Sequence, residues 1–408
     1  MIAVDLYSGA GGSALGIARA GFDQIIAFEI DAEKVNTINL NREVFAMMGC
    51  NMFATTADVF KLSLSDFPSS VDLLVGGAPC QPFSLSGKRK GFDDPRDGIA
   101  RFFSFVSGVN PECFLLENVP GLLHGKFLES LCLCIANSFS ASLDTIKDWL
   151  LHATCNDDCL RLGGYDLHAL ILNSSDFGLS QHRNRLFIFG FRSISNFKWL
   201  LPVATHSMNN LLRELFTESS DYRKKHSIVK IHVPARSKSF WIAHEQTIDE
   251  DPNKSRWSTV RDLLLEVGLP KQAKDQIGCF GHNLHRGARS YSGHTGSYLD
   301  WPAKTLKAGV HGVPGGENML RWSNGRVRYF TLLECALLQG FPVTYQFLGG
   351  FKSIINSIGN AVPPILIEQI LRSYYHQIQS HLEEVPPSNT IPILPFLNSS
   401  SRLKTTTG

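Results

Sequence analysis

Three stretches of this sequence carry residue types that could do chemistry. The first is Gly76-Gly77-Ala78-Pro79-Cys80-Gln81-Pro82-Phe83-Ser84, placed directly after the apolar run Val71-Asp72-Leu73-Leu74-Val75. A buried strand that ends in Gly-Gly and then Pro-Cys delivers one thiol to the carboxyl edge of a sheet. Pro79 and Pro82 stiffen the backbone on both sides of it. A cysteine held this way is exposed and positioned, as nucleophilic catalysis requires. The second stretch is Glu117-Asn118-Val119-Pro120, a strand-end carboxyl after Cys113-Phe114-Leu115-Leu116. The third is Gln181-x-Arg183-x-Arg185, two arginines at the start of another strand, where one can turn inward and the other outward. Each pattern alone is commonplace: a lone cysteine is usually buried and structural. Together they suggest a nucleophile, a proton-handling carboxyl and cationic support on one sheet edge.

A fourth constellation points to a cofactor. Asp5-x-x-x-Gly9-x-Gly11-Gly12 follows the apolar run Ile2-Ala3-Val4-Asp5-Leu6-Tyr7 but lacks the G-x-G-x-x-G spacing of a dinucleotide turn. It also lacks the Lys-Ser/Thr of a phosphate cradle. An acid four residues before the first glycine suits a cofactor with a positive or amine-bearing end. Glu29, at the end of a second strand, can hold both ribose hydroxyls, and Asp58 follows a third. These acids favour S-adenosylmethionine over a dinucleotide.

The elements that must position these groups alternate along the first half of the chain. Strands are expected at 2–7, 25–29, 52–56, 71–75, 113–116, 166–172 and 185–189, with a helix over Ser13–Ala20 closed by Gly21. Strand, helix, strand at this rhythm predicts an α/β fold with a doubly wound, mostly parallel sheet, whose ligands lie past the strands' carboxyl ends. From about residue 195 the rhythm fails. The stretch to about 325, rich in His, Ser, Gly, Trp and Arg, reads as a smaller irregular, partly β domain with few helices. Apolar periodicity returns at 331–348, Ile365–Tyr375 reads as a last helix, and 380–408 as a disordered tail.

Composition narrows the classes of partner. The 408 residues are 43% hydrophobic and 19% charged, those of an ordinary globular protein, and the formal net charge is only +2. Its distribution is uneven: residues 221–330 hold 18 Lys/Arg against 10 Asp/Glu, and the remainder is net acidic. One module facing a polyanion accounts for that asymmetry. The first residues do not read as a signal peptide, and no apolar run approaches a membrane span. Nine scattered cysteines argue for a reducing compartment. Cys132-x-Cys134 with Cys155-x3-Cys159 is too loose a set for zinc, and no metal is expected.

Five motifs occur in a fixed order: Asp5-Leu6-Tyr7-Ser8-Gly9-Ala10-Gly11-Gly12, Pro79-Cys80-Gln81, Glu117-Asn118-Val119, Gln181-x-Arg183-x-Arg185 and Gly359-Asn360-Ala361-Val362-Pro363. In that order and spacing the chain resembles the DNA cytosine-5 methyltransferases of prokaryotic restriction–modification systems, over roughly residues 1–190 and 328–375. The resemblance implies a class I, Rossmann-like catalytic domain at 1–194, a target-recognition domain at 195–350, a helix at 351–379 returning to the catalytic domain, and a tail at 380–408. It implies that Cys80 adds to C6 of a cytosine flipped out of duplex DNA, that Glu117 engages N3 and the exocyclic amine, that Arg185 approaches O2, and that Arg183 supports the site. It also implies that S-adenosylmethionine is held by Asp5, Tyr7, Ser8, Gly9, Gly11, Gly12, Glu29, Asp58, Pro79, Asn360 and Ala361. Lys88, Arg89, Lys90 and Arg96 then fall on a mobile, DNA-closing loop.

Pro302-Ala303-Lys304-Thr305-Leu306 and Arg328-Tyr329-Phe330-Thr331 resemble the recognition-domain framework. Ser180, Leu333, Leu337 and Ser357 depart from the pattern, where Pro, Arg, Arg and Gln are usual; the chemical positions do not. The expected partner is duplex DNA, read by a cytoplasmic monomer, with a restriction endonuclease as a functional rather than physical companion. Two other readings stay open at this point: a catalytically weak DNA-binding regulatory relative, and an RNA cytosine-5 methyltransferase.

Overall fold

The computed structural model describes residues 1–78, 98–156, 158–244, 247, 249–268, 281–292, 294–308 and 318–384. The chain alternates as expected through β1 (Ile2–Leu6), α1 (Gly12–Arg19), β2 (Gln24–Glu29), α2 (Ala32–Leu40), α3 (Arg42–Met47), β3 (Asn51–Thr56) and β4 (Leu73–Gly76). It continues with α4 (Gly98–Val109), β5 (Cys113–Asn118), α5 (Gly125–Phe139), α6 (Leu143–Asn156), β6 (Leu160–Leu162), β7 (Tyr165–Asn173) and β8 (Asn184–Arg192). The strands form one eight-stranded sheet in the order β3-β2-β1-β4-β5-β8-β7-β6.

The first five strands in that order pair in parallel and the last three antiparallel. Residues between β7 and β8 make only a short 3-10 turn, Ser174–Phe177, rather than the crossover helix that parallel strands need. The sheet is therefore wound in parallel only as far as β5. The three-residue β6 was not expected.

Period-two alternation sorts the strands' side chains into two cores. Ala3, Leu73, Val75 and Leu115 face one side and pack with Ala14, Leu15, Leu366, Ile367 and Ile370. Val4, Leu6, Leu74, Phe114 and Leu116 face the other, with Phe102, Phe103, Leu131 and Ile135. Strand order reverses between β1 and β4, which opens a crevice at their carboxyl ends, the usual ligand position in such sheets.

Beyond the sheet come β9 (His206–Ser207), α7 (Met208–Phe216), α8 (Asp221–Lys225), α9 (Ala235–His244), β10 (Ser255–Arg256) and α10 (Val260–Val267). This stretch holds more helix than its composition announced. Side-chain caps start three of the helices: Ser207, Ser220 and Thr259 each accept a backbone N–H of the first turn. A small core of Leu211, Leu212, Leu215, Tyr222, Trp241, Trp257 and Trp301 lies between them. The antiparallel hairpin β11 (Met319–Arg321) and β12 (Val327–Tyr329) follows.

α11 (Leu332–Gln339), α12 (Phe351–Asn360) and α13 (Pro364–Glu384) then rejoin the first core. Leu366, Ile367, Ile370, Leu371, Tyr374 and Ile378 make a continuous buried stripe at helical spacing. That stripe carries α13 past Tyr375 to Glu384, into the segment expected to be tail. Residues 351–383 are apolar enough to cross a bilayer, but 78% of their apolar window is buried in the fold, as in a core helix.

Candidate active site

The β1 turn is shaped by close approach. Tyr7 adopts φ +59°, unusual for a residue with a side chain, and its hydroxyl donates to Gly98 O at 3.3 Å. A Cβ on Gly12 would stand 2.5 Å from Val362 O, and one on Gly11 2.7 Å from the Tyr345 hydroxyl. Only glycine lets this turn meet the segment ahead of α13. Gly9 N donates to Glu29 Oε2 at 2.9 Å and Asp31 N to Glu29 Oε1 at 3.0 Å, so Glu29 is fixed over the turn. Asp58 lies just past β3, where its Oδ1 accepts Phe60 N at 3.0 Å.

Asp5 is fully buried, with Oδ2 accepting the Ser13 hydroxyl at 2.5 Å. Burial pushes its pKa up to about 7, against the pull of Ser13 and with help from the Glu29 charge. Asp5 Oδ1 and Ser8 Oγ are buried and have no hydrogen-bond partner among the described residues. Two orphaned oxygens in the crevice, one on a carboxyl, are what a donor-bearing cofactor would satisfy. The donor set therefore fits the amine-bearing S-adenosylmethionine.

Pro79 and Cys80 lie outside the described residues, as does the expected loop with Lys88, Arg89, Lys90 and Arg96. What precedes them is well held. The Asn118 amide donates to Ala78 O at 3.1 Å, and a Cβ on Gly77 would lie 3.5 Å from Glu117 Oε2. The strand end leading to the thiol thus runs beside the Glu117 carboxyl, in the register that pairs Gly76 with Leu116.

Glu117 is 8% exposed and takes an ion pair from Arg185 Nε at 2.9 Å. Burial raises its pKa, with Arg185 and then Arg183 opposing. β8 begins at Asn184, so Arg183 lies just ahead of the strand; both arginines act on the Glu117 charge, Arg185 through the direct ion pair.

Arg183 is 1% exposed and donates to Leu306 O at 3.0 Å, Gly359 O at 2.8 Å and Ala361 O at 3.0 Å. Gln181 completes the junction: its amide donates to Leu338 O and to Gln339 Oε1, both at 2.9 Å, and its oxygen accepts Leu306 N at 2.8 Å. Gln339 in turn donates to Ala361 O. One buried polar knot therefore joins the start of β8, the strap 302–306, α11 and the end of α12. Asn360 sits at that end, exposed, with its amide on Asn356 Oδ1 at 3.2 Å.

The family-departing residues take ordinary places. Leu333 and Ser357 are buried, Leu337 packs at the edge of the first core, and Ser180 O accepts Ala303 N at 2.7 Å. Sequence reasoning did not single out the role of Gln339 or of Tyr345, whose hydroxyl donates to Ala10 O at 2.7 Å. A buried glutamine in an apolar helix was the available signal for the first; nothing marks the second.

The sequence model of the C-5 cytosine-specific DNA methylases matches residues 1–145 and 150–376. Among similar characterised proteins, the Type II methyltransferase M.AplI of Arthrospira platensis is 26% identical over 97% of this chain and 90% of its own length. M.Sau96I of Staphylococcus aureus is 28% identical over 92% of this chain and 75% of its own. M.AquIA of a Picosynechococcus strain reaches 33% over 52% of this chain and 79% of its own. A crystal structure of a prophage-encoded Escherichia coli protein, named for DNA modification methyltransferase activity, shares the fold with a TM-score of 0.51 and 24% identity, over 93% of this chain and 99% of the other. With nearly the whole chain matched, the protein belongs to the C-5 cytosine-specific DNA methylase family and is a DNA cytosine-5 methyltransferase.

Proposed function

We propose that Cys80 is the nucleophile and Glu117 its proton-handling partner. Cytosine C5 is a poor nucleophile, so the ring must first be activated. Attack of the Cys80 thiolate on C6 forms a C–S bond and pushes electron density to C5, while Glu117 supplies a proton or hydrogen bond at N3 as charge develops there. S-adenosylmethionine, when bound, supplies the methyl group. Loss of the C5 proton to a base then re-forms the ring double bond and expels the Cys80 thiolate.

The observation that carries this reading is the Glu117–Arg185 pair, buried beside the strand end that runs into Pro79-Cys80. Burial raises the Glu117 pKa, the direction that favours proton transfer to the ring, and the ion pair with Arg185 keeps the carboxyl oriented. Asp5 and Ser8 are the groups best suited to receive the cofactor's amine end, and Glu29 its ribose, with Tyr7, Gly9, Gly11, Gly12, Asp58, Pro79, Asn360 and Ala361 walling the pocket. Arg183 acts as a positioning residue. The substrate is a cytosine flipped out of duplex DNA, approached by a cytoplasmic monomer whose residues 195–350 read the flanking sequence.

The test is bisulfite sequencing of DNA from a methylation-free host expressing the chain, beside Cys80→Ser, with a tRNA assay in parallel. We expect 5-methylcytosine at a fixed site with the wild type alone, and unchanged S-adenosylmethionine binding by the variant. Turnover in Cys80→Ser, or methylation of tRNA but not DNA, overturns the assignment.

A further inference from the structure

We propose that the cleft between residues 284–288 and the β11–β12 hairpin seats the phosphate backbone of the bound duplex, with Arg286 and Arg326 as its contacts. The proposal rests on the DNA reading above and locates the duplex on the surface of the recognition region.

The cleft measures about 470 Å³ and is lined by His285, Arg286, Trp322, Asn324, Arg326 and Arg328 together with small and aliphatic residues; no carboxylate is among the described residues that line it. Its arginines differ in kind. Arg328 is spoken for, with paired bonds of 2.7 and 2.8 Å to the fully buried Glu334 carboxylate. Arg286 and Arg326 are exposed, come from different segments and have no side-chain partner among the described residues. Two exposed guanidinium groups line one concave spot with no carboxylate among the described lining residues, and an anion seated there would offset their like charge. Guanidinium forks match phosphate oxygens, and the polyanion this family acts on is DNA.

The hairpin is a rigid mount. Trp322 N donates to Arg326 O at 2.8 Å, Gly325 N to Trp322 O at 2.9 Å, and Gly325 takes φ +85°. Asn324 Oδ1 already accepts Arg326 N at 3.0 Å. That bond ties the Asn324 side chain to the turn. The site suits backbone positioning over base reading.

Its frame reaches the catalytic edge. Asn318 clamps Lys307 with bonds of 2.9 and 2.8 Å, and the neighbouring Leu306 is held by Arg183 and Gln181. On the other wall His285 stacks on Phe351, the first residue of α12, at 3.9 Å between ring centroids. A phosphate gripped here is thus in register with Glu117 through stiff, buried connections.

The experiment compares wild type with the Arg286→Gln/Arg326→Gln double variant, and with Lys147→Gln on α6 as a control that removes one exposed positive charge elsewhere. DNA affinity is measured as a function of salt, alongside the methylated site and the unfolding temperature. Each lost phosphate contact lowers the magnitude of the log–log salt slope by about 0.9. We expect the double variant to lose roughly two units of slope by that rule, to keep the same target cytosine and cofactor affinity, and to unfold at the wild-type temperature. The control should keep the wild-type slope. An unchanged slope in the double variant overturns the proposal, as does a relaxed target site at unchanged slope, which would mark a base contact. Wild-type protein that binds DNA without methylating it would count against the enzymatic reading alone, because the slope comparison still decides the cleft.

Discussion

The sheet and the proposed recognition region, residues 195–350, are stabilised by different physics. In the sheet, β4 and β5 are buried along their whole length and the aromatic cluster of Phe102, Phe103, Phe114, Phe139 and Tyr165 fills one face. The recognition region has a core of seven residues, and polar networks define much of the rest. Arg261 and Tyr222 converge on the fully buried Asp300, while Arg256 and His226 converge on Asp262. Apolar burial is tolerant of sequence, whereas a buried ion network demands particular partners. The proposed chemistry therefore sits on the tolerant scaffold, and the surface proposed to meet DNA depends on the exacting one.

The comparison can be broken from either side. The largest effect should come from Phe114→Ala, which empties the centre of the aromatic cluster. We expect a loss of about 3–5 kcal/mol in denaturant unfolding, with cofactor and DNA binding falling together because both depend on the sheet. Asp300→Asn should cost somewhat less, about 3 kcal/mol for an uncompensated Arg261, and should separate the two functions. DNA binding falls while S-adenosylmethionine binding, read by calorimetry, stays. Joint loss of both would show that the two regions are one cooperative unit.

A third test sharpens the sheet side. Asp5 has its pKa raised from 3.8 to about 7 by burial, so between those values the folded protein binds more protons than the unfolded chain. Stability of the cofactor-free protein should then fall as pH rises through that window, by at most about 1.4 kcal/mol per pH unit. Asp5→Asn should flatten the profile, and so should saturating S-adenosylmethionine, whose amine would pair with the carboxylate. A wild-type profile already flat over that range would refute the orphaned-acid account.

What could be read from the sequence follows the same division. β1, β2, β4 and β5 were legible because a buried parallel strand is a short apolar run, and Gly9 to Gly12 because a turn that admits no Cβ leaves glycines in the text. β6 was not: Leu160-Arg161-Leu162 is too short to show a period, and it owes its existence to pairing with β7. Helices α7 to α10 were hidden by their polar surroundings, although Leu211, Leu212 and Leu215 share a face and Ser207 and Thr259 are capping residues. The motif arginines announced themselves, but not their division of labour. Arg183 and Arg185 differ because the strand begins between them, and a sequence does not print strand boundaries to one residue. The hairpin cleft was invisible, since Arg286 and Arg326 meet only in three dimensions.

The fit of Gly12 against Val362 O, together with α13 lying along α1, has a consequence in time. On the ribosome the sheet strands emerge first, and the wall of the crevice arrives more than 150 residues after the last of them. Until then the face of α1 that receives α13 is open to solvent, and the turn from Tyr7 to Gly12 has nothing to press against. A nascent chain is therefore an incomplete enzyme however well its sheet has collapsed. Contacts that span this much sequence also form slowly, so methylating capacity should lag synthesis, and the last helix to fold acts as the protein's own checkpoint.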